Sequence, residues 1–213
     1  MTGSPRHIAR RSLAGAAVMA LAGCASLLGV SPPGRLYRLT AAGAYPANLP
    51  RVSAQLLIDL PQAPAGIDTT RIALSRSPLS LDYYADAEWT DRVPALVQTA
   101  LMASFENSRA MTAIDRESSG LRPDFILETE IRHFEAVYDQ SATAPTAWVA
   151  VIARLVAMPR RKIVAQTAFE RRVPAAANTI PDTIAAINQA AGAVIRDIVL
   201  WTLADAALSA RRG

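Results

Sequence analysis

Three strand-length segments, residues 124–138, 147–158 and 163–173, follow one another with only a few residues between them. In the first, Phe125, Leu127, Thr129 and Ile131 fall on one face, while Glu128, Glu130 and Arg132 fall on the other. That period of two is the signature of a strand with one wet side. Connections this short suit antiparallel neighbours, with Pro159-Arg160-Arg161-Lys162 as a basic turn. The apolar face of such a meander needs a covering layer, and the last helical segment supplies one. From residue 179 to about 210, Ile184, Ile187, Ala191, Val194, Ile195, Ile198, Trp201 and Leu208 form a single stripe, with Asp205 near its end.

Upstream, residues 52–60 are β-branched and apolar and end at Pro61, which predicts a strand. Residues 71–75 and 79–84 predict a hairpin around Ser77-Pro78. Thr90-Asp91-Arg92-Val93-Pro94 predicts a helix start: a threonine cap, an acid in the first turn and an early proline. Val93, Leu96, Val97, Ala100, Leu101 and Ser104 then keep helical spacing, so one face of that helix is buried. No internal repeat is visible. The expected architecture is α+β, a single domain over residues 36–213 with an antiparallel β-sheet and two principal helices packed on one face.

The N-terminus belongs to a different class of segment. Residues 1–11 carry Arg6, Arg10 and Arg11 and no acid, and residues 12–21 read SLAGAAVMAL. The run is well short of the roughly 20 residues a transmembrane helix needs. It ends in Leu21-Ala22-Gly23-Cys24, the chain's only cysteine. Small residues before a lone cysteine resemble the lipobox of bacterial lipoproteins, where diacylglycerol is joined to the thiol and a peptidase cuts before it. Residues 1–23 are therefore expected to be a lipoprotein signal peptide and Cys24 the lipidation site. Residues 24–35, with Ser31-Pro32-Pro33-Gly34, read as a lipid-anchored tether. Arg10-Arg11-Ser12-Leu13 partly resembles a twin-arginine motif, but paired arginines are common in ordinary signals, so the export route stays open. Ala25 after the cysteine, where enteric bacteria read Asp as an inner-membrane retention mark, leads to an expectation of outer-membrane residence.

Composition then excludes several functions. Losing three arginines with the signal lowers the formal charge from +4 to about +1, which gives no reason to expect nucleic acid. A lipidated Cys24 leaves no thiol for disulfide or redox chemistry. His133 is the one histidine beyond the signal, so no metal and no cofactor are expected; its role is packing or hydrogen bonding. Nucleophile elbows, phosphate loops and zinc-protease motifs are missing. Carboxylates gather at Asp82, Asp86, Glu88 and Asp91 and again at Asp124, Glu128 and Glu130. A glycosidase would need two of them converging on a cleft, whereas their alternation with apolar residues fits the wet face of a strand. The basic runs Arg160-Arg161-Lys162 and Arg171-Arg172 read as solvated turns. No catalysis is expected.

Tyr83-Tyr84-Ala85-Asp86-Ala87-Glu88-Trp89-Thr90-Asp91-Arg92-Val93-Pro94, followed by Leu96-Val97-Gln98 and Ser104-Phe105-Glu106-Asn107-Ser108, forms a recognisable pattern. With residues 124–134, Asp197-Ile198-Val199-Leu200-Trp201 and the early Leu36-Tyr37-Arg38-Leu39, it resembles the ABC-type transport auxiliary lipoprotein family, which includes the paraquat-inducible outer-membrane lipoprotein. Ala41-Ala42-Gly43 replaces a proline of that pattern after the first strand. The resemblance implies a periplasmic accessory subunit of an ABC lipid transporter. Its partners would be a permease, an ATPase and a substrate-binding protein with a mammalian-cell-entry domain. Tyr83, Tyr84 and Trp89 are the candidate partner surface: alternation sends the two tyrosines to opposite faces, and at least one of the three aromatics should pack in the core. Whether the exposed one meets a partner, a lipid or another copy of the chain, as in a homo-oligomer, is open at this stage. Two rival readings are a lipid carrier holding an acyl chain in its own cavity and a periplasmic hydrolase with an unrecognised site.

Overall fold

A computed structural model describes residues 34–116, 122–139 and 141–210. The expected export signal, Leu21, Ala22, Gly23, Cys24 and nearly all of the tether lie outside these residues. By its internal contacts the chain separates between Gly34 and Arg35, and the fold is that of the unit from Arg35 onward.

Eight strands and two helices follow in the order β1 (Arg35–Tyr37), β2 (Val52–Ile58), β3 (Arg71–Ser75), β4 (Asp82–Trp89), α1 (Val93–Ser108), β5 (Met111–Arg116), β6 (Phe125–Val137), β7 (Thr146–Ala157), β8 (Lys162–Pro174) and α2 (Ile180–Ala210). The architecture is α+β, and the sheet is built on β6. One edge of β6 pairs with antiparallel β7 along its whole length, and β7 pairs in turn with antiparallel β8. Its other edge is shared. Residues 56–58 of β2 run parallel beside residues 125–127, and residues 73–75 of β3 run parallel beside 135–137. The parallel bridge between Gln62 and Glu130 fills the space between them. Beyond β2 lies parallel β5; beyond β3 come antiparallel β4 and then β1, parallel to β4.

The expected antiparallel sheet is thus corrected to a mixed one. The three consecutive long strands are antiparallel as their short connections require. The parallel pairs join strands distant in sequence, with α1 and the β3–β4 hairpin in the intervening chain, and connection length says nothing about such pairings. The sequence reading also missed β5.

Irregularities in register decide which side chains enter the core. Ile131 pairs with Val151 but His133 pairs with Ala150, so Arg132 is an extra residue in β6. Up to that bulge Phe125, Leu127, Thr129 and Ile131 face the helices; past it Phe134 and Ala136 do so. In β4 the register also shifts, which leaves Tyr84, Ala87 and Trp89 all packed against the core.

Both helices lie on one face. α2 packs on β6, β7 and β8, and α1 on β2, β5 and α2. The space between sheet and helices is filled by Trp89, Phe105, Phe134, Leu101, Leu127 and Ile198, each under 2% exposed. α1 starts later than expected. Its N-cap is Arg92, with no side-chain cap and no acid in the first turn; Pro94 sits where a missing N–H leaves no intrahelical bond unmade. Asp91 instead accepts the Arg92 N–H. The start of α2 is capped by a side chain: Thr179 Oγ1 accepts the Asp182 N–H at 3.2 Å and donates to the Asp182 carboxylate at 2.6 Å. By length and composition α2 could cross a membrane, yet Ile184, Ile187, Ala191, Val194, Ile195 and Ile198 are buried against the sheet. It is the core helix of this domain. Trp201 is only half-buried, edge-on to Phe169 with ring centroids 5.8 Å apart.

Candidate functional site

Over its middle the face of β6, β7 and β8 turned away from the helices is polar, and its charges are paired in rows. Glu128 meets Arg161 at 3.2 Å, and Glu130 meets both Arg132 at 2.9 Å and Arg154 at 3.3 Å. Arg154 also donates to Gln166 at 3.0 Å. Asp124 accepts the Gln55 backbone N–H. Every carboxylate of the second sequence cluster therefore already has a cation or an amide as partner. Among the described residues no group of three or more His, Cys, Asp or Glu side chains is placed to hold a metal.

Nearer the end of the sheet where β3 and β6 finish, the same face becomes aromatic. The His133 ring lies flat on Trp148 with centroids 3.2 Å apart, and the Arg172 guanidinium is 3.9 Å from the Trp148 centroid. Nδ1 of His133 is 2.7 Å from Oε1 of Glu135, which is buried. His133 is thus a packing and hydrogen-bonding residue, held by a ring on one side and a carboxylate at its edge. Arg172 hydrogen-bonds Glu170 and holds its carboxyl below the usual range, with smaller help from the Trp148 indole and from His133.

The 76–81 loop between β3 and β4 rises beside this stack. Together with Gly66 and Ile67 it encloses an open cleft of about 500 Å³, walled by Pro78, Leu79, Leu81, Trp148, His133 and Glu135. Leu81 packs close over Gly66: a Cβ at this position would lie 2.6 Å from Cδ2 of Leu81, so a larger residue would make that side chain shift. The Tyr83 hydroxyl donates to the Gly66 carbonyl at 3.0 Å, and Arg71 covers the Tyr83 ring at 3.7 Å.

The three aromatics read from the sequence therefore part company. Trp89, expected as a candidate for the partner surface, is 1% exposed and edge-on to Phe134 at 5.7 Å, so it is corrected to a core residue. Tyr84 is half-buried on the core side, its hydroxyl 2.9 Å from that of Tyr138. Burial first, then the Tyr138 hydrogen bond, raises its pKa well above the ordinary tyrosine value. Tyr83 borders the cleft through Gly66 and is half-buried. Leu79, Leu81 and Trp148, which define the cleft, were not singled out. The legible signal was two leucines directly after Ser77-Pro78, in a turn where polar residues are the norm.

A family model described as the ABC-type transport auxiliary lipoprotein component matches residues 37–199, from the last residue of β1 through β8 and most of α2. The chain belongs to that family. The family is described as an auxiliary lipoprotein component of ABC-type transport, a class that suits the cell envelope. Among solved structures of similar fold, protein XCC0632 from Xanthomonas campestris is 27% identical with a TM-score of 0.79, covering 84% of this chain and 99% of its own. The crystal structure of an uncharacterized protein, 12% identical, shares the fold with a TM-score of 0.61 over 79% of this chain and 97% of its own. A curated relative of the auxiliary lipoprotein, the uncharacterized protein bll6063 from Bradyrhizobium diazoefficiens, is 28% identical over 158 residues, 71% of this chain. The chain spans about two-fifths (40%) of that relative's length.

Proposed function

We propose that the protein is a non-catalytic docking subunit of an ABC-type lipid transporter whose substrate-binding protein carries a mammalian-cell-entry domain. In this reading it faces the periplasm from the outer membrane, held by lipid on Cys24. The family match across the folded unit carries the reading. The filled space between sheet and helices favours docking over a carrier with an acyl chain inside, because Trp89, Phe105 and Phe134 occupy the volume such a chain would need. The paired carboxylates favour it over a hydrolase, whose acid and base must face substrate.

Co-purification tests it. The full chain, expressed with its neighbouring transporter genes, should bring down the substrate-binding subunit, while mass spectrometry finds no stoichiometric lipid in the isolated protein. Recovery of bound lipid without a transporter subunit would favour the carrier. For the anchor, Cys24→Ser should abolish incorporation of labelled palmitate. In a sucrose gradient the parent should sediment with outer-membrane markers.

A further inference from the structure

Leu79 is 98% exposed at the tip of the β3–β4 loop. The turn that displays it is pinned from within: Ser75 Oγ donates to the Ser77 carbonyl at 2.8 Å, the Ser80 N–H to the same carbonyl at 3.2 Å, and Ser77 Oγ to Ser80 Oγ at 3.1 Å. These bonds hold the backbone of the turn in the form that displays Leu79. Leu81, 40% exposed, stands behind it over Gly66, and Pro78 precedes it. An ordered turn that holds apolar side chains into solvent is complementary to something apolar.

The topology says what lies in that direction. β1 runs parallel to β4, so the chain enters β1 from the side on which β4 begins, which is the side bearing the 76–81 loop. Cys24 precedes Arg35 by 11 residues, which reach at most about 40 Å fully extended. A lipid on Cys24 thus keeps a bilayer within that distance of Arg35. The sheet end that bears the 76–81 loop carries Tyr138 under Arg76 at 4.7 Å and Trp148 under Arg172, amphipathic pairs of the kind found at headgroup depth. Arg35, Arg76 and Arg172 are offset there by Asp82, Asp139 and Glu170, so charge gives no preference for anionic lipid.

We propose that the β3–β4 turn is a second membrane contact: Leu79 and Leu81 insert into the interfacial layer of the bilayer that holds the anchor, and fix the orientation of the domain on it. This rests on the anchor reading of Cys24. Because lipidation consumes that thiol, Leu79→Cys in the full chain offers one reactive cysteine for an environment-sensitive nitrobenzoxadiazole label. Reconstituted in phosphatidylcholine vesicles, the label at 79 should shift its emission to the blue and be quenched by nitroxide-bearing phosphatidylcholine. Ser53→Cys, at an exposed position of β2 at the opposite end of the sheet, should stay water-like. Adding Leu81→Glu to the Leu79→Cys chain should remove the shift while the protein still floats with the vesicles. A chain that floats but keeps a water-like label at 79 overturns the proposal, and Leu79 then belongs to a protein contact. A chain that fails to float and carries label on Cys24 overturns the anchor, and this contact with it.

Discussion

Trp89 and Trp201 have different surroundings, and the difference is measurable. Trp89 is enclosed by the core and edge-on to Phe134. Trp89→Ala should cost about 3–5 kcal/mol, a large share of the roughly 5–15 kcal/mol that holds a domain together, and lower the melting temperature sharply. Trp201 keeps one side in water, so Trp201→Ala should produce a visibly smaller drop, read in the same thermal scan. Equal drops would place both rings in one environment, against the packing described. Tyr84 yields a pH effect. Its folded pKa is raised by burial and then by Tyr138. The unfolded chain therefore ionises first as pH climbs past about 10, and the stabilisation present below that pH is lost as it rises further. Tyr84→Phe should flatten this alkaline decline in urea-unfolding stability between pH 9 and 11, by roughly the range over which an ordinary tyrosine titrates. At this scale the sequence was legible where alternation was unbroken, as from Phe125 to Ile131. It failed at Trp89, because the extra residues of β4 put it on the same side as Tyr84, and a bulge leaves no mark in a hydrophobic pattern.

Strands and helices were found where period and composition agreed. β6, β7, β8 and α2 match their expected spans to within a residue or two, and the Thr179 cap begins α2. β5 was invisible, since Met-Thr-Ala-Ile-Asp-Arg has neither clean alternation nor a bounding turn, and it is a strand only because β2 offers an edge. The tie between these wings is Gln98 of α1, whose Nε2 donates to the Ile58 carbonyl at the end of β2 at 2.9 Å. Gln98→Ala removes this buried hydrogen bond and should destabilise the domain by about 0.5–1.5 kcal/mol in urea. A neutral result would mean that water satisfies the carbonyl from the β2 end.

Across the whole molecule the strand β6 is common property. Its one edge serves the β7–β8 meander, and its other edge serves both the β2–β5 pair and the β3–β4–β1 group. No wing can leave without exposing part of it. Native-state hydrogen exchange should find the amides of residues 127–134 among the slowest, opening only with global unfolding. Slow exchange confined to β7 and β8, with β6 opening alongside β2, would mean that the two halves unfold separately. This architecture was only partly legible, because the parallel pairs depend on contacts between segments that no local pattern connects.

The extra residue Arg132 acts on β6 much as a reading frame acts on a message. Upstream of it the odd positions are addressed to the helices; downstream the even ones are, which is why Phe134 packs beneath the helices while His133 and Glu135 lie on the opposite face of the sheet. Substituting Arg132 leaves the frame intact and should cost only its surface pair with Glu130, about 0–1 kcal/mol. Deleting it shifts the frame, sends His133 and Glu135 into the apolar layer and expels Phe134 and Ala136. A deletion at 132 should therefore abolish the folded domain where Arg132→Ala is silent, a contrast that circular dichroism of the two chains would register at once. Along this strand an exposed letter can be exchanged, but the number of letters cannot change.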